Sequence, residues 1–391
     1  MAMQIAVGSS ASLDSRQAAR EAVRSALRSA AHPAFALVLS TDQYDADALA
    51  AALSEELGPV PWAGCCTAGV FVGTQLLQQG LVIGVVQGPA VRVGVGMAGQ
   101  VSEDGRAAGA LAAQRALAQL PGAPPQGWSR ALLVLPDAVT GNGADVVRGA
   151  VQVGGTGVIW AGGGAGDNLR FVRTAQFADG KAYSDSAVVV AIDSPVRIAA
   201  GIRHGFTPYG PATMVTRASG SAVSELEYEQ AFSVYQRTAE GRGDQVSRDQ
   251  FATFAMTHPL GIPQADGEHV IRDPLRVDGH GSLHCVGEVP DGCLIRVMEG
   301  DRACILGAAR EAARSARQAV GGTVGGAIVF DCISRSLMLG EGVREELAIF
   351  GAELGEGVPV IGCLTFGEVG VLGHGVPQFH NKTAVVLALG A

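Results

Sequence analysis

The stretch that decides the fold is VPVIGCLTFGEVG, residues 358–370 of the 391-residue chain. It begins with apolar and β-branched residues of the kind that form a buried strand, and it runs into a Gly-Cys pair at Gly362. A carboxylate, Glu368, then follows within hydrophobic sequence. Such a strand end is either one wall of a binding pocket or an ordinary turn with a surface glutamate, and this stretch alone allows both interpretations.

The same pattern occurs twice more, as VPWAGCCTAGVF at residues 60–71 and VIWAGGGAGDN at residues 158–168. Each copy follows a short apolar run and a helical segment, and each is followed by a closing β-like run. The preceding runs are FALVLS (35–40), ALLVLP (131–136) and GAIVFD (326–331), and the closing runs are LVIGVV (81–86), SAVVVAI (186–192) and TAVVLAL (383–389). The repetition predicts an α/β fold of layered β-sheets flanked by helices, built from three related strand-helix-strand-turn-strand units.

The length of the chain favours two domains, because a single core rarely grows beyond about 250–300 residues. We expect the boundary near residue 220, which gives one domain at 1–220 and a second at 221–391. Hydrophobic residues make up 48% of the chain and charged residues 17%, as in a well-packed globular protein.

The net charge of −9 produces a field that repels nucleic acid and anionic membrane surfaces. We therefore expect no nucleic-acid partner. Because apolar windows of about 18 residues are missing, we also expect no membrane insertion. The N-terminal sequence does not resemble a signal peptide, and the seven cysteines form no CxxC pair. These features predict a cytoplasmic protein without disulfides or a zinc site.

Two kinds of chemistry at the turns are disfavoured. The run GGGAGD at residues 162–167 resembles a nucleotide-binding loop, but the residues that follow it predict a hairpin, not the helix that would hold a phosphate. Cys65 or Cys363 could act as a nucleophile with a base such as His380, yet no spacing supports the pair and cysteine is commonly a buried residue. We therefore predict a protein that is not an enzyme.

A ligand site at the turns is the favoured interpretation. Small residues at strand ends leave room for a ligand, and polar groups there fix its orientation. Such groups would come from Thr67, Asp167, Asn168, Thr365 and Glu368. A carboxylate in apolar surroundings needs a partner, which Arg272 or Asp273 could provide. Each of these side chains could equally cap a turn, but three copies of one turn chemistry favour a site.

The histidines allow a second interpretation. Four of the eight lie between residues 258 and 284, and imidazole is a common ligand of metals and of haem. Their spacing matches no standard metal motif, and the chain has no CxxCH haem attachment. We therefore predict no metal site, and each histidine alone is more often a solvated or hydrogen-bonded residue.

The combined motifs resemble the FIST family of bacterial sensory proteins. The resemblance rests on GCLTFGEVG, FHNKTAVVLALG, VPWAGCCTAG, AGGGAGDN, GIRHGFTPYG, VIRDPLRVD and PDGCLIRVMEGD, which run in the family's order from about residue 30 to the end. It implies a FIST N-terminal domain followed by a FIST C-terminal domain, acting as an input module for signal transduction that binds small ligands such as amino acids. It also implies a stand-alone sensor with a separate output protein, such as a histidine kinase, and no cofactor.

The resemblance also carries over site residues. The ligand-binding positions that it implies are Gly64, Cys65, Thr67, Gly162, Gly163, Gly164, Asp167, Asn168, Arg272, Asp273, Gly362, Cys363, Thr365, Gly367, Glu368, His380 and Asn381. Val70 stands where the family commonly has an acidic residue, so a contact to a ligand amine would be missing there. Some stand-alone members, the NosP group, are described as haem-binding nitric oxide sensors that control a histidine kinase. Under that alternative the axial haem ligand would be His258, His204 or His269, in that order.

Overall fold

The computed structural model describes residues 2–391 and confirms the predicted α/β class of layered sheets covered by helices. Three six-stranded sheets surround a shared apolar core, and an eight-stranded antiparallel sheet forms a separate body. No helix within these residues is long and apolar enough to cross a membrane.

The first unit covers residues 4–87. Its elements are β1 (Gln4–Ser10), α1 (Ser15–Leu27), β2 (Pro33–Thr41), α2 (Ala46–Leu57), β3 (Trp62–Thr67), β4 (Val70–Val72), β5 (Gln75–Leu77) and β6 (Leu81–Gln87). Strands β2 and β3 are parallel, and α2 crosses between them. Helix α2 begins where the Asp45 carboxylate accepts the Ala48 N–H, and it ends at Gly58, which has a left-handed φ of 58°.

The second unit covers residues 92–194 and repeats this order. Its elements are β7 (Arg92–Gly99), α3 (Val101–Ala118), β8 (Ser129–Pro136), α4 (Gly143–Gly154), β9 (Ile159–Gly163), β10 (Gln176–Ala178), β11 (Lys181–Tyr183) and β12 (Ser186–Ser194). The hairpin predicted after the glycine-rich run is β10–β11, and both of its turn residues, Asp179 and Gly180, have positive φ.

A barrel is inserted after the first strand of the third unit. The elements from that strand through the insertion are β13 (Ile198–Arg203), β14 (Thr207–Pro208), β15 (Thr213–Ser219), β16 (Ala222–Leu226), β17 (Glu229–Gln230), α5 (Ala231–Glu240), α6 (Phe251–Thr257), β18 (Leu260–Pro263), β19 (His269–Val277), β20 (Leu283–Val286) and β21 (Leu294–Glu299). The eight-stranded sheet closes on itself because β21 pairs with both β15 and β18. We call residues 207–299 the inserted barrel.

The third unit resumes after the barrel. Its remaining elements are α7 (Arg302–Val320), β22 (Val324–Cys332), α8 (Ile333–Leu339), a 3₁₀ turn (Gly340–Gly342), α9 (Val343–Leu354), β23 (Val360–Thr365), β24 (Glu368–Gly370), β25 (Gln378–His380) and β26 (Ala384–Gly390). Helix α8 has no counterpart in the first unit, where the connection from β2 to α2 is shorter.

The three sheets share one strand order and one pattern of strand directions. The orders are β1-β6-β2-β3-β10-β11, β7-β12-β8-β9-β24-β25 and β13-β26-β22-β23-β4-β5, each with one parallel pair at its centre. The last two strands of every sheet come from a different unit, because each hairpin crosses to a neighbouring sheet. The exchange ties the three units together at the carboxyl ends of their parallel strands.

Candidate functional site

The glycine of each repeated turn is required by close packing of two strands. A Cβ on Gly64 would lie 1.7 Å from the backbone oxygen of Val38, on the neighbouring parallel strand. Gly162 and Gly362 face the backbone oxygens of the equivalent residues in the same way, at 2.1 Å and 2.4 Å. These distances exclude any side chain, so the packing of the strands requires glycine at these three positions whether or not a ligand binds.

The three turns meet in space. The Gly166 N–H donates to the Cys66 oxygen at 3.1 Å, and the Ala68 N–H donates to the Leu364 oxygen at 3.0 Å. The Gly164 N–H donates to the Gly367 oxygen at 2.7 Å, which links the second turn to the third. The space between the turns is filled by a small apolar cluster of Ala68, Leu364 and Phe366.

Glu368 is fully buried beside the third turn. Its Oε2 accepts hydrogen bonds from the Thr383 N–H at 3.1 Å and the Thr383 hydroxyl at 2.8 Å, and its Oε1 lies 2.7 Å from the Thr365 hydroxyl. Burial raises the pKa of Glu368 from 4.5 to about 7, although these hydrogen bonds oppose the shift. The surface position that the sequence left open for Glu368 is therefore excluded.

A buried ionic cluster adjoins Glu368. The Arg335 guanidinium donates to Glu346 Oε1 and to the backbone oxygens of His204, Ile305 and Lys382. Its Nε also lies 2.9 Å from Asp331 Oδ1, but the N–H points to Glu346, so Asp331 is in ionic contact without a hydrogen bond. Burial and then the Glu346 carboxylate raise the pKa of Asp331 well above its usual range.

The other polar turn residues hold backbone groups. The buried Asp167 carboxylate accepts the N–H groups of Phe171, Val172 and Arg173, and so organises the loop after the second turn. Thr67 donates its hydroxyl to a backbone oxygen, Asn168 is exposed, and Gly163, Gly164 and Gly367 pack against neighbouring side chains. Their part in ligand binding stays a prediction.

The cysteines of the turns are unsuited to nucleophilic chemistry. Cys65 and Cys363 are completely buried, and burial raises the pKa of each thiol well above 9.0. A thiol that stays protonated at neutral pH is a poor nucleophile. The geometry gives these cysteines a packing role in the core.

The expected pairing of Glu368 with Arg272 or Asp273 was wrong. Asp273 instead binds Lys382, with Nζ 3.1 Å from Oδ1, and accepts the Ser334 hydroxyl. Arg272 donates to three backbone oxygens, including that of Phe379 beside His380 and Asn381. Strand β19 places both residues on the inserted barrel, so they fasten the barrel to the third unit.

The three histidines proposed as haem ligands have different surroundings, and two of them are engaged by neighbouring groups. His258 stacks flat on Phe254, with ring centroids 3.9 Å apart, and its Nδ1 bonds to groups of its own helix end. His204 accepts the Phe206 N–H at Nδ1, so the neutral ring carries its proton on Nε2, where iron would need a lone pair. His269 is half-buried, burial lowers the pKa of its imidazole, and its Nε2 has no hydrogen-bond partner in residues 2–391, so its part in haem binding stays a prediction.

A cleft of about 350 Å³ opens at the carboxyl ends of β2 and β3. Its volume falls at the lower end of the roughly 300–1,000 Å³ typical of small-ligand pockets. It is lined by Ser40, Thr41, Asp42, Tyr44, Asp45, Ala46, Asp47, Cys66, Arg170, Arg173, Thr174, Ala175, Phe177, Ala182 and Tyr183. The first unit supplies one wall and the loop after the second turn supplies the other.

The cleft carries charges of both signs. Three carboxylates, Asp42, Asp45 and Asp47, lie on the first unit, and two guanidinium groups, Arg170 and Arg173, lie on the loop. Arg170 is ion-paired with Asp42, and Asp45 is occupied as the cap of α2.

The strand-end residue in the wall of the cleft is Ser40. It is fully buried, and its hydroxyl finds no hydrogen-bond partner anywhere in residues 2–391. A buried polar atom without a partner is costly and calls for a ligand, a water or an ion. Beside it, Cys66 accepts the Ala175 N–H at Sγ, which joins the cleft to the loop after the second turn.

The counterpart of this cleft in the second unit is filled. There Asp137 turns inward and accepts the N–H groups of Val139, Thr140 and Asp185. Glu288 of the inserted barrel also binds Asn142 at the start of α4, at 3.2 Å.

In the third unit, Arg335 fills the position against Asp331, which leaves an outer groove of about 650 Å³ between β5 and the start of α9. A groove of about 420 Å³ on the barrel is lined by Arg237 and Arg242, which are already paired with Glu229 and Glu299. The cleft of the first unit is more enclosed than these two grooves, and its wall contains a buried hydroxyl without a hydrogen-bond partner, that of Ser40.

The sequence interpretation missed the main residues of this cleft. Asp42 and Asp47 follow the first apolar run of a repeat, and Arg170 and Arg173 follow the glycine-rich turn of the next one. The available signal is the sequence LRFVR directly after the Asp-Asn pair, where two arginines flank two apolar residues. The pattern of this segment alone predicts a hairpin and no charged wall.

Two protein-family models match the chain, one in each half. A model of the FIST N domain matches residues 34–229, and a model of the FIST C domain matches residues 231–371. The chain belongs to the FIST family. FIST domains are sensory domains of signal transduction, and the predicted family is thereby confirmed.

The FIST N match contains the whole cleft, and the FIST C match begins within the inserted barrel. The predicted boundary near residue 220 falls in the turn between β15 and β16, and the two-domain division stays a prediction.

Other comparisons add little about this FIST protein. No curated protein matches the chain. Among solved structures, a crystal structure of cyanuric acid hydrolase from A. caulinodans is similar at 10% sequence identity and a TM-score of 0.39, covering 100% of both chains.

Proposed function

We propose that this FIST protein is a non-enzymatic sensor that binds a small zwitterionic molecule, such as an amino acid, in the cleft of the first unit. It signals to a separate output protein, such as a histidine kinase. The observation that carries the proposal is the cleft itself, which presents carboxylates on one wall and guanidinium groups on the other. A zwitterion offers a matching ammonium and carboxylate within one small molecule.

The two walls belong to different units, and this gives ligand binding a mechanical consequence. Asp42 and Asp47 are fixed at the start of α2, whereas Arg170 and Arg173 lie on the loop held by Asp167. A ligand that bridges the walls favours the closed arrangement of loop and helix. Because a ligand acts through its differential affinity for two states, this arrangement is the one that the output protein would read.

Thermal-shift screening of amino acids and small metabolites tests the proposal. A ligand that stabilises the wild type should stabilise Arg173→Ala and Asp47→Ala much less, because each change removes one charge from the cleft. Arg314→Ala, on the exposed face of α7, is the matched control and should respond like the wild type. Stabilisation that both cleft variants retain would place the site elsewhere and contradict the proposal.

Variants of the repeated turns separate the cleft from the site that the sequence predicts. Glu368→Gln should leave the ligand response unchanged, because Glu368 is buried among its own hydrogen bonds, away from the cleft lining. Asp167→Asn should weaken the response, because it loosens the loop that carries Arg170 and Arg173. A response abolished by Glu368→Gln alone would favour the predicted turn site.

The haem-sensor alternative has less support, because His258 stacks on Phe254 and His204 accepts the Phe206 N–H; His269, whose buried Nε2 has no hydrogen-bond partner in the described residues, is its remaining candidate. It makes a distinct prediction, namely a Soret band in protein purified with haem supplementation. Loss of that band in His258→Ala, His204→Ala or His269→Ala would favour it over the cleft.

A further inference from the structure

The third unit contains an internal counterpart of the proposed ligand. In the first unit Gly64 pairs with Val38 of β2, and in the third unit Gly362 pairs with Val329 of β22. When these two pairs are aligned, Ser40 and Asp331 occupy the same position, two residues further along β2 and β22. Both residues are fully buried, and both have side-chain oxygens that lack a hydrogen bond within the described part of the chain. The same structural position thus holds a buried side-chain oxygen without a hydrogen bond in both units.

The chain itself places a cation at this position of the third unit. The longer connection after β22 forms α8 and brings the Arg335 guanidinium to within 2.9 Å of Asp331. Its remaining N–H groups donate to Glu346 and to backbone oxygens. In the first unit the connection is short and contains no such helix, and Asp42, Tyr44 and Asp45 of this connection line the cleft.

We infer that the cleft of the first unit accepts a free molecule whose cationic group takes the place that Arg335 takes in the third unit. The ligand class is a dibasic amino acid, with a guanidinium or ammonium group on its side chain. This inference rests on the proposed function and makes its ligand specific.

The charges of the cleft favour the same class. Three carboxylates against two guanidinium groups leave an excess negative charge, which suits a ligand with one net positive charge. The side-chain cation lies toward Ser40 and Asp42, and displaces Arg170 from Asp42. The ligand carboxylate lies toward Arg173, on the opposite wall of the cleft.

Isothermal titration with L-arginine and L-citrulline tests the inference. The two molecules have nearly the same shape, but citrulline lacks the side-chain charge. We expect arginine to bind at least about tenfold more tightly, as for the loss of one charge-assisted contact worth about 1.4 kcal/mol. Asp42→Asn should reduce this preference, whereas Arg314→Ala should leave it unchanged.

The variant Ser40→Asp distinguishes a ligand-binding role of this position from a merely structural one. It copies the third unit's residue into the first and places a buried carboxylate without a cation, so the free variant should melt at a lower temperature than the wild type. Arginine should restore more stability to this variant than to the wild type, and citrulline should not.

Equal affinity for arginine and citrulline, or a cleft that prefers neutral amino acids, would overturn the inference and leave the proposed function standing. Failure of every amino acid to bind in the cleft would overturn both. A gain in arginine response by Ser40→Asp, together with its loss in Asp42→Asn, would support the inference.

Discussion

Replacing Glu368 by glutamine should remove a pH-dependent loss of stability. The Thr365 hydroxyl lies 3.1 Å from the backbone oxygen of Asp331 and 2.7 Å from Glu368 Oε1, yet it has one hydrogen to donate. Both contacts are satisfied if Glu368 is protonated and donates to Thr365, which then donates to Asp331. Glutamine reproduces this arrangement, because its amide N–H donates to Thr365 and its oxygen accepts from Thr383.

The magnitude follows from the raised pKa of Glu368. Its folded value of about 7 lies above the usual 4.5 of an unfolded glutamate. The stability is therefore fully present below pH 4.5 and is lost as the pH rises through 7, because the unfolded state releases its proton from about pH 4.5 whereas the folded state holds its proton up to about pH 7. At roughly 1.36 kcal/mol per pKa unit, the loss amounts to about 3 kcal/mol and is complete above pH 7.

Urea denaturation of the wild type and of Glu368→Gln from pH 5 to pH 8 measures this pH-dependent contribution to the free energy of unfolding. The variant should be the more stable by about 1 kcal/mol at pH 5 and by about 3 kcal/mol at pH 8. Taking the difference between the two proteins cancels the titration of other buried groups, such as His204 and His380, whose pKa values burial lowers.

Glu345→Gln is the control, since that carboxylate is exposed on α9 and its pair with Arg302 contributes less than about 1 kcal/mol. A stability difference between wild type and Glu368→Gln that is the same at every pH would refute the raised pKa, and a variant less stable than wild type at pH 8 would refute the proposed proton arrangement.

Three other substitutions test separate parts of the structure. Gly64→Ala should abolish stable folding, because its Cβ would meet a backbone oxygen at 1.7 Å, whereas Gly307→Ala, with open space in α7, should stabilise by about 0.5–1 kcal/mol in thermal melts. Arg335→Met should cost about 3–5 kcal/mol of unfolding free energy by leaving buried carboxylates unpaired, and Arg314→Met on the surface less than about 0.5 kcal/mol. Asp167→Asn should cost about 1–3 kcal/mol and speed hydrogen exchange of the amides of residues 172 and 173, because an amide NH₂ then faces N–H donors. Unchanged exchange at these amides would contradict the anchoring role of Asp167.

The class of the fold could be predicted because its strands are short apolar runs buried on both faces. Residues 35–39 of β2 and residues 327–330 of β22 are all fully buried. Such continuous apolar runs are easily recognised in a sequence. The start of α2 could also be predicted, because Asp45 caps it locally.

The exchange of hairpins could not be predicted. Strands β4, β10 and β24 have three residues each, and nothing in so short a run indicates which sheet it joins. The closure of the inserted barrel depends on pairing of β18 with β21, which sequence alternation does not reveal.

The site was predicted only in part. The repeated turns do meet, and the buried state of Glu368 and Asp167 agrees with a polar interior, but most of their polar groups bind one another or the backbone. The cleft escaped prediction because its two walls are far apart in sequence, with Asp42 and Arg170 separated by 128 positions. Pairing over such a distance is a product of the hairpin exchange.

A crystal structure of the protein soaked in a mixture of amino acids tests the central claim most directly. We predict electron density for one molecule in the cleft, with its carboxylate at Arg173 and its cationic group toward Ser40. An occupied site at the junction of the barrel and the third unit, with the cleft empty in the same crystal, would contradict the account.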